Sequence, residues 1–227
     1  MLASVGGILL GLLVGLRHAF EPDHLTAIST LVSEGGGARR GAVLGAIWGV
    51  GHTVSLLVVG VILLVIGAVL PARVAAGFEG AVAMMLVGLG VRAIVRALRE
   101  GRRGPVTTHH HGGLTHTHAG PAHIHVGPRV LAWRPLVIGL VHGLAGSGAL
   151  TALVFARLPS TAARITYITV FGAGSVAGMM IASGLAGATL DAVARRPQTR
   201  RGLAVATGVL SIVVGVVWSV PTIAALT

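Results

Sequence analysis

Residues 17 to 24 read Arg17-His18-Ala19-Phe20-Glu21-Pro22-Asp23-His24, which places two imidazoles, two carboxylates and a proline inside an apolar run from Leu2 to Val32. A charge at the centre of a membrane helix costs about 3 kcal/mol or more, so such groups face a protein interior and mark an ion pathway or a proton relay. On an unbroken helix His18 and His24 would stand about 120° apart around the axis and roughly 9 Å apart along it, too far to hold one ion. Pro22 removes a backbone donor and clashes with the preceding turn, which predicts a kink or unwound stretch at residues 18 to 22. Such a break would fold His18, Asp23 and His24 toward one point and free a helix N-terminus. Imidazole nitrogen with carboxylate oxygen suits nickel, cobalt or zinc better than magnesium, calcium or copper(I). The chain has no cysteine, so thiolate sites, disulfides and thiol redox chemistry are excluded. His52, within Trp48-Gly49-Val50-Gly51-His52-Thr53, offers a third imidazole and His142 a further one. Taken singly, both also fit a structural role, hydrogen bonding between helices, and His142 fits it better because its surroundings lack an acidic residue. Glu79 suits a metal-relay or proton-coupling carboxylate, or an interfacial charge balancing Arg73, and Asp191 beside Arg195 and Arg196 suits a solvated loop.

The elements that must carry these residues belong in lipid. Of 227 residues 54% are hydrophobic and only 10% charged, against about 25% charged in soluble domains. The 35 glycines with 4% aromatics predict helices packed closely through small residues. Apolar runs lie at about Leu2 to Val32, Val43 to Leu70, Val74 to Ile94, Leu131 to Phe155, Ile165 to Leu190 and Leu203 to Leu226. Each reaches the roughly 20 residues needed to cross the hydrocarbon core as a helix. The first run lacks a basic leader and a small-residue cleavage site, so it is expected to be a mature span. The expected fold is an all-α polytopic membrane protein of six transmembrane helices, the first kinked or broken near Pro22.

Two further patterns give that fold its orientation and plan. The connections after spans one, three and five carry thirteen arginines and the opposite side only Arg73, Arg157 and Arg164, which places both termini outside the cytoplasm. Gly15-Leu16-Arg17-His18 and Leu25-Thr26-Ala27 are echoed by Gly139-Leu140-Val141-His142 and Leu150-Thr151-Ala152, and Gly51-His52-Thr53-Val54 more loosely by Gly174-Ser175-Val176. The offsets of 123 to 125 residues, with three spans per half, predict two inverted three-helix repeats at residues 1–97 and 131–227. Between them, residues 98–130 form a flexible cytoplasmic loop holding His109, His110, His111, His116, His118, His123 and His125, a composition that binds divalent metals weakly and in many geometries. The formal charge of +11 does not imply a nucleic-acid partner, because the arginines cluster between apolar runs as topology alone requires.

The stretch His18 to His24 resembles the H-x4-D-H motif of the nickel/cobalt transporter family, and Gly51-His52-Thr53 resembles that family's second-span element. The glycine-rich segment from Val141 to Leu150 is similar to the short, six-span, urease-accessory-like branch. The resemblance implies that His18, Asp23, His24 and His52 bind the metal; His142, Glu21 and Glu79 are candidates for a secondary metal or gating role on their types and positions alone. Where longer members carry acidic residues in the second half, this chain has Ala145, Gly146 and Ser147. The expectation is a secondary transporter in the cytoplasmic membrane, not an enzyme. It would carry Ni²⁺ or Co²⁺ as substrate by uptake and keep no permanently bound cofactor. A cytosolic metallochaperone is a candidate partner. The rivals are a proton-coupled nickel or cobalt exporter, a membrane accessory protein that hands metal to a maturation system, and a membrane-embedded metal enzyme with Glu21 as its base. No Gly-x4-Gly-Lys-Ser/Thr nucleotide motif is present.

Overall fold

A computed structural model describes residues 2–33, 37–68, 70–100, 133–158, 160–194 and 196–226, with the short segments 109–111, 114–116, 124–126 and 129–131. The helices are α1 (Leu2–His18), α2 (Pro22–Val32), α3 (Gly37–Ile66), α4 (Ala72–Glu100), α5 (Trp133–Arg157), α6 (Thr161–Val193) and α7 (Pro197–Leu226). Among the described residues, α3, α4, α6 and α7 are long and apolar enough to cross a membrane, and Gly6–His18 is a shorter apolar helix. The break expected near Pro22 is present, since the first apolar run is two helices rather than one.

The region from 109 to 131 contains four strands that the sequence did not suggest: β1 (His109–His111) pairs antiparallel with β2 (Leu114–His116), and β3 (Ile124–Val126) with β4 (Arg129–Leu131).

The helices pack as α3 along α6, α4 along α7, α1 along α6 and α5 along α3, while α2 lies against α7, α6 and α4. Large aliphatic side chains such as Leu13, Val65, Met84 and Val217 point outward. Polar ones such as His24, His52, His142, Ser175 and Ser183 are buried. This inversion of the soluble pattern follows from lipid being as apolar as leucine, which leaves close packing and cross-helix hydrogen bonds to hold the bundle. Ser55 donates to the Leu140 carbonyl at 2.7 Å, Ser211 to that of Leu86 at 2.7 Å and Thr53 to that of Gly172 at 3.1 Å.

Glycine permits the tightest crossings. A Cβ on Gly15 would collide with the Phe171 carbonyl, and one on Gly139 with the Trp48 carbonyl. Because the obstacle is backbone in both cases, Gly139→Val is expected to lower stability by about 3 kcal/mol, at the upper end for overpacking. Thermal unfolding of the detergent-purified variant measures this, and a midpoint equal to the parent's would mean that the crossing is looser than it stands here.

Candidate metal centre

The centre begins with the break between α1 and α2. The chain leaves α1 in a tight turn, with Phe20 N–H donating to the Arg17 carbonyl at 2.9 Å and Glu21 N–H to that of His18 at 3.1 Å. Glu21 is extended, with φ −65° and ψ 149°, as a residue before proline must be. Pro22 then occupies the first helical position of α2, where its missing N–H costs nothing. Asp23 falls in the first turn of α2, where the positive end of the helix dipole favours a carboxylate.

This turn brings together what a straight helix would separate. The rings of His18 and His24 lie 4.4 Å apart, and His52 from α3 stands 5.3 Å from the first and 5.4 Å from the second. One ring nitrogen from each of the three falls within 4.8 Å of the others. The Nδ1 atom of His18 meets Glu21 Oε2 at 3.0 Å, and that of His24 meets Asp23 Oδ1 at 3.1 Å. The Nε2 atoms of both rings, and both nitrogens of His52, are buried without a hydrogen-bond partner. An unpaired buried polar group is costly. Three imidazoles presenting such nitrogens to one another have the donor set that a borderline cation takes. The carboxylates behind two of them are in the position that fixes ring tautomer and orientation in metal sites.

A second group is built on the same carboxylate. His142 Nε2 meets Asp23 Oδ2 at 2.8 Å, so Asp23 spans His24 and His142, whose rings are 4.1 Å apart. Asp23, His24 and His142 also offer ligand atoms within 4.8 Å of one another. The acidic neighbour that His142 lacks in its own half of the sequence thus comes from α2. Trp48 lies 5.6 Å from both His24 and His142, and Phe171 lies 5.3 Å from His18. The sequence gives neither ring a role by itself, although Trp48 precedes His52 by four residues and Phe171 precedes the buried Ser175 by four, the spacing that shares a helix face.

Of the other residues singled out from sequence, Glu21 holds His18, and Glu79 on α4 lines a cavity of about 80 Å³ together with His18, Glu21, Asp23, His24 and His142. Among the described residues Glu79 makes no ion pair with Arg73. Asp191 is half-exposed near the end of α6, 3.8 Å from Arg200. His109, His110, His111, His116 and His125 fall on the strands. His118 and His123 lie outside the described residues.

The sequence model of the NicO family, described as "High-affinity nickel-transport protein", matches residues 5–224. Among curated proteins, the urease accessory protein UreH of Bacillus sp. (strain TB-90) is 32% identical over 207 residues, covering 91% of this chain and 87% of its own length. No solved structure matches the chain. These are transport and accessory proteins rather than enzymes, and with a match that runs nearly end to end the chain belongs to the NicO family, as a multi-pass membrane protein.

Proposed function

We propose that the protein is a secondary transporter that takes Ni²⁺ or Co²⁺ across the cytoplasmic membrane, binding the ion through His18, His24 and His52 while Asp23 orients His24 and His142. The observation that carries this reading is the convergence of unpartnered, buried imidazole nitrogens where the first apolar run breaks. The ion sheds water as the three rings replace it. The membrane potential supplies about 2.3 kcal/mol per elementary charge per 100 mV, twice that for a divalent ion.

Alternating access in such a protein follows from six spans in two inverted halves rocking about the site. Contacts related by a shift of 123 or 124 residues support that plan. Gly15 approaches the Phe171 carbonyl and the Ser175 nitrogen as Gly139 approaches the Trp48 carbonyl and the His52 nitrogen. Gly174 approaches Leu12 and Leu16 as Gly51 approaches Leu136 and Leu140. Phe171 packs on His18 as Trp48 packs on His142. With both termini outside, as the arginine asymmetry argues, the histidine-rich connection meets arriving metal in the cytoplasm.

The test is purified protein in sealed liposomes with an interior-negative potential. Radionickel is expected to accumulate several-fold above protein-free liposomes with no other protein present, and to reverse direction when the potential is reversed. The urease accessory relative favours a second reading, delivery of metal to an enzyme maturation system. Tight nickel binding without flux would select it and sink the transporter.

A further inference from the structure

The cavity beside the imidazoles is walled by Glu21 behind His18, by Asp23 behind His24 and His142, and by Glu79, which the binding of one ion at His18, His24 and His52 does not use. Glu21 is half-exposed and engages His18 through one oxygen, Oε2. Glu79 lines the same space from α4 and has no ion-pair partner among the described residues. The buried Nε2 of His24 and Nδ1 of His142 are unpartnered, and both residues line this cavity. A space of about 80 Å³ has room for several waters. Val82 and Trp218 give it apolar walls, which strengthen the field of the carboxylates inside it.

The position of Glu79 gives the cavity a direction. It lies seven residues into α4, which starts at Ala72, so roughly 10 Å of helix separates it from the α3–α4 connection. Val82, one turn further along, is buried and lines the cavity too. Trp218 stands on α7, which is bound to this stretch of α4 by the approach of Gly80 to Thr222. Glu79 is thus the carboxylate that α4 holds toward that connection, while Glu21 stands beside His18.

We infer that Glu79, with Glu21 across the same cavity, forms a capture site for a hydrated divalent cation, from which the ion passes to the three imidazoles. The inference rests on the uptake reading, in which the α3–α4 connection faces outward. Carboxylates hold such an ion largely through its waters, and the imidazoles then exchange with those waters one at a time. Glu79 raises the local ion concentration and leaves the inner coordination of the bound ion unchanged.

Radionickel uptake into proteoliposomes over a range of concentrations tests this. Glu79→Gln is expected to raise KM about tenfold, within the range of electrostatic focusing, and to leave maximal flux within about twofold. The fall of uptake with added salt should flatten, and Glu79→Asp should restore most of the affinity. An unchanged KM, or a loss confined to maximal flux, overturns the inference, as does a defect that Glu79→Asp shares in full. If the unaltered protein accumulates no nickel, the transport reading itself falls. Stopped-flow binding of Ni²⁺ to detergent-purified protein then decides Glu79: a roughly tenfold slower association with Glu79→Gln supports the capture site, and an equal rate removes it.

Discussion

His52→Leu is expected to abolish nickel accumulation, by about 100-fold or more, while leaving the protein at least as resistant to heat as the parent. Loss of an outer partner of a metal ligand already costs roughly 10–100-fold in affinity, so loss of one of three imidazole donors should exceed that. The prediction about stability comes from the same ring. His52 is fully buried and neither of its nitrogens has a hydrogen-bond partner. Leaving one such group unsatisfied costs on the order of 1–3 kcal/mol, and leucine of similar volume removes the cost without opening a large void. A structural histidine between helices would behave oppositely, with heat resistance falling and transport falling only in proportion to folded protein. Thermal unfolding in detergent and radionickel uptake, run on one preparation, separate the two. Parent-like uptake by the folded variant would remove His52 from the site.

The break in the first apolar run was legible because proline in such a run carries its own mechanism. Pro22 predicts a broken helix, and the break is what joins His18 to His24 at 4.4 Å. His52 was legible only as a candidate third imidazole, since taken singly it fits a structural role between helices equally well. What the sequence hid was pairing across long separations. The contact of His142 with Asp23 spans 119 residues, and in the second half of the chain nothing but the repeat pointed to it. The supporting rings were hidden for a similar reason, since Trp48 and Phe171 look like ordinary core until the helices they face are known. The carboxylate of Glu79 was equally ambiguous, because on one strand of sequence Arg73 is its nearest charge, whereas in space it faces the cavity. The short strand pairs in the histidine-rich region were not foreseen because composition describes what a segment cannot bury and gives no account of short local pairing.

The second large effect is expected at Asp23, and its pattern across three variants separates orientation from ligation. Asp23 receives His24 through Oδ1 at 3.1 Å and His142 through Oδ2 at 2.8 Å, so one buried carboxylate fixes two rings. Asp23→Ala leaves both rings unheld and is expected to weaken Ni²⁺ binding about 100-fold, at the upper end for such outer partners. Asp23→Asn keeps one acceptor oxygen but presents an NH₂ group to the other ring, so a loss of about tenfold is expected. His142→Ala should cost less than Asp23→Ala, because His24 keeps its contact with Oδ1. Affinity alone does not finish the assignment, since an inner-sphere carboxylate would also weaken binding when neutralised. X-ray absorption on the nickel-loaded protein supplies the difference. If Asp23 only orients, Asp23→Asn binds more weakly but retains the nitrogen-rich shell of the parent. If the oxygen contribution to that shell falls with Asp23→Asn, the carboxylate is itself a ligand, and the three-imidazole centre gives way to one built on histidine and aspartate together.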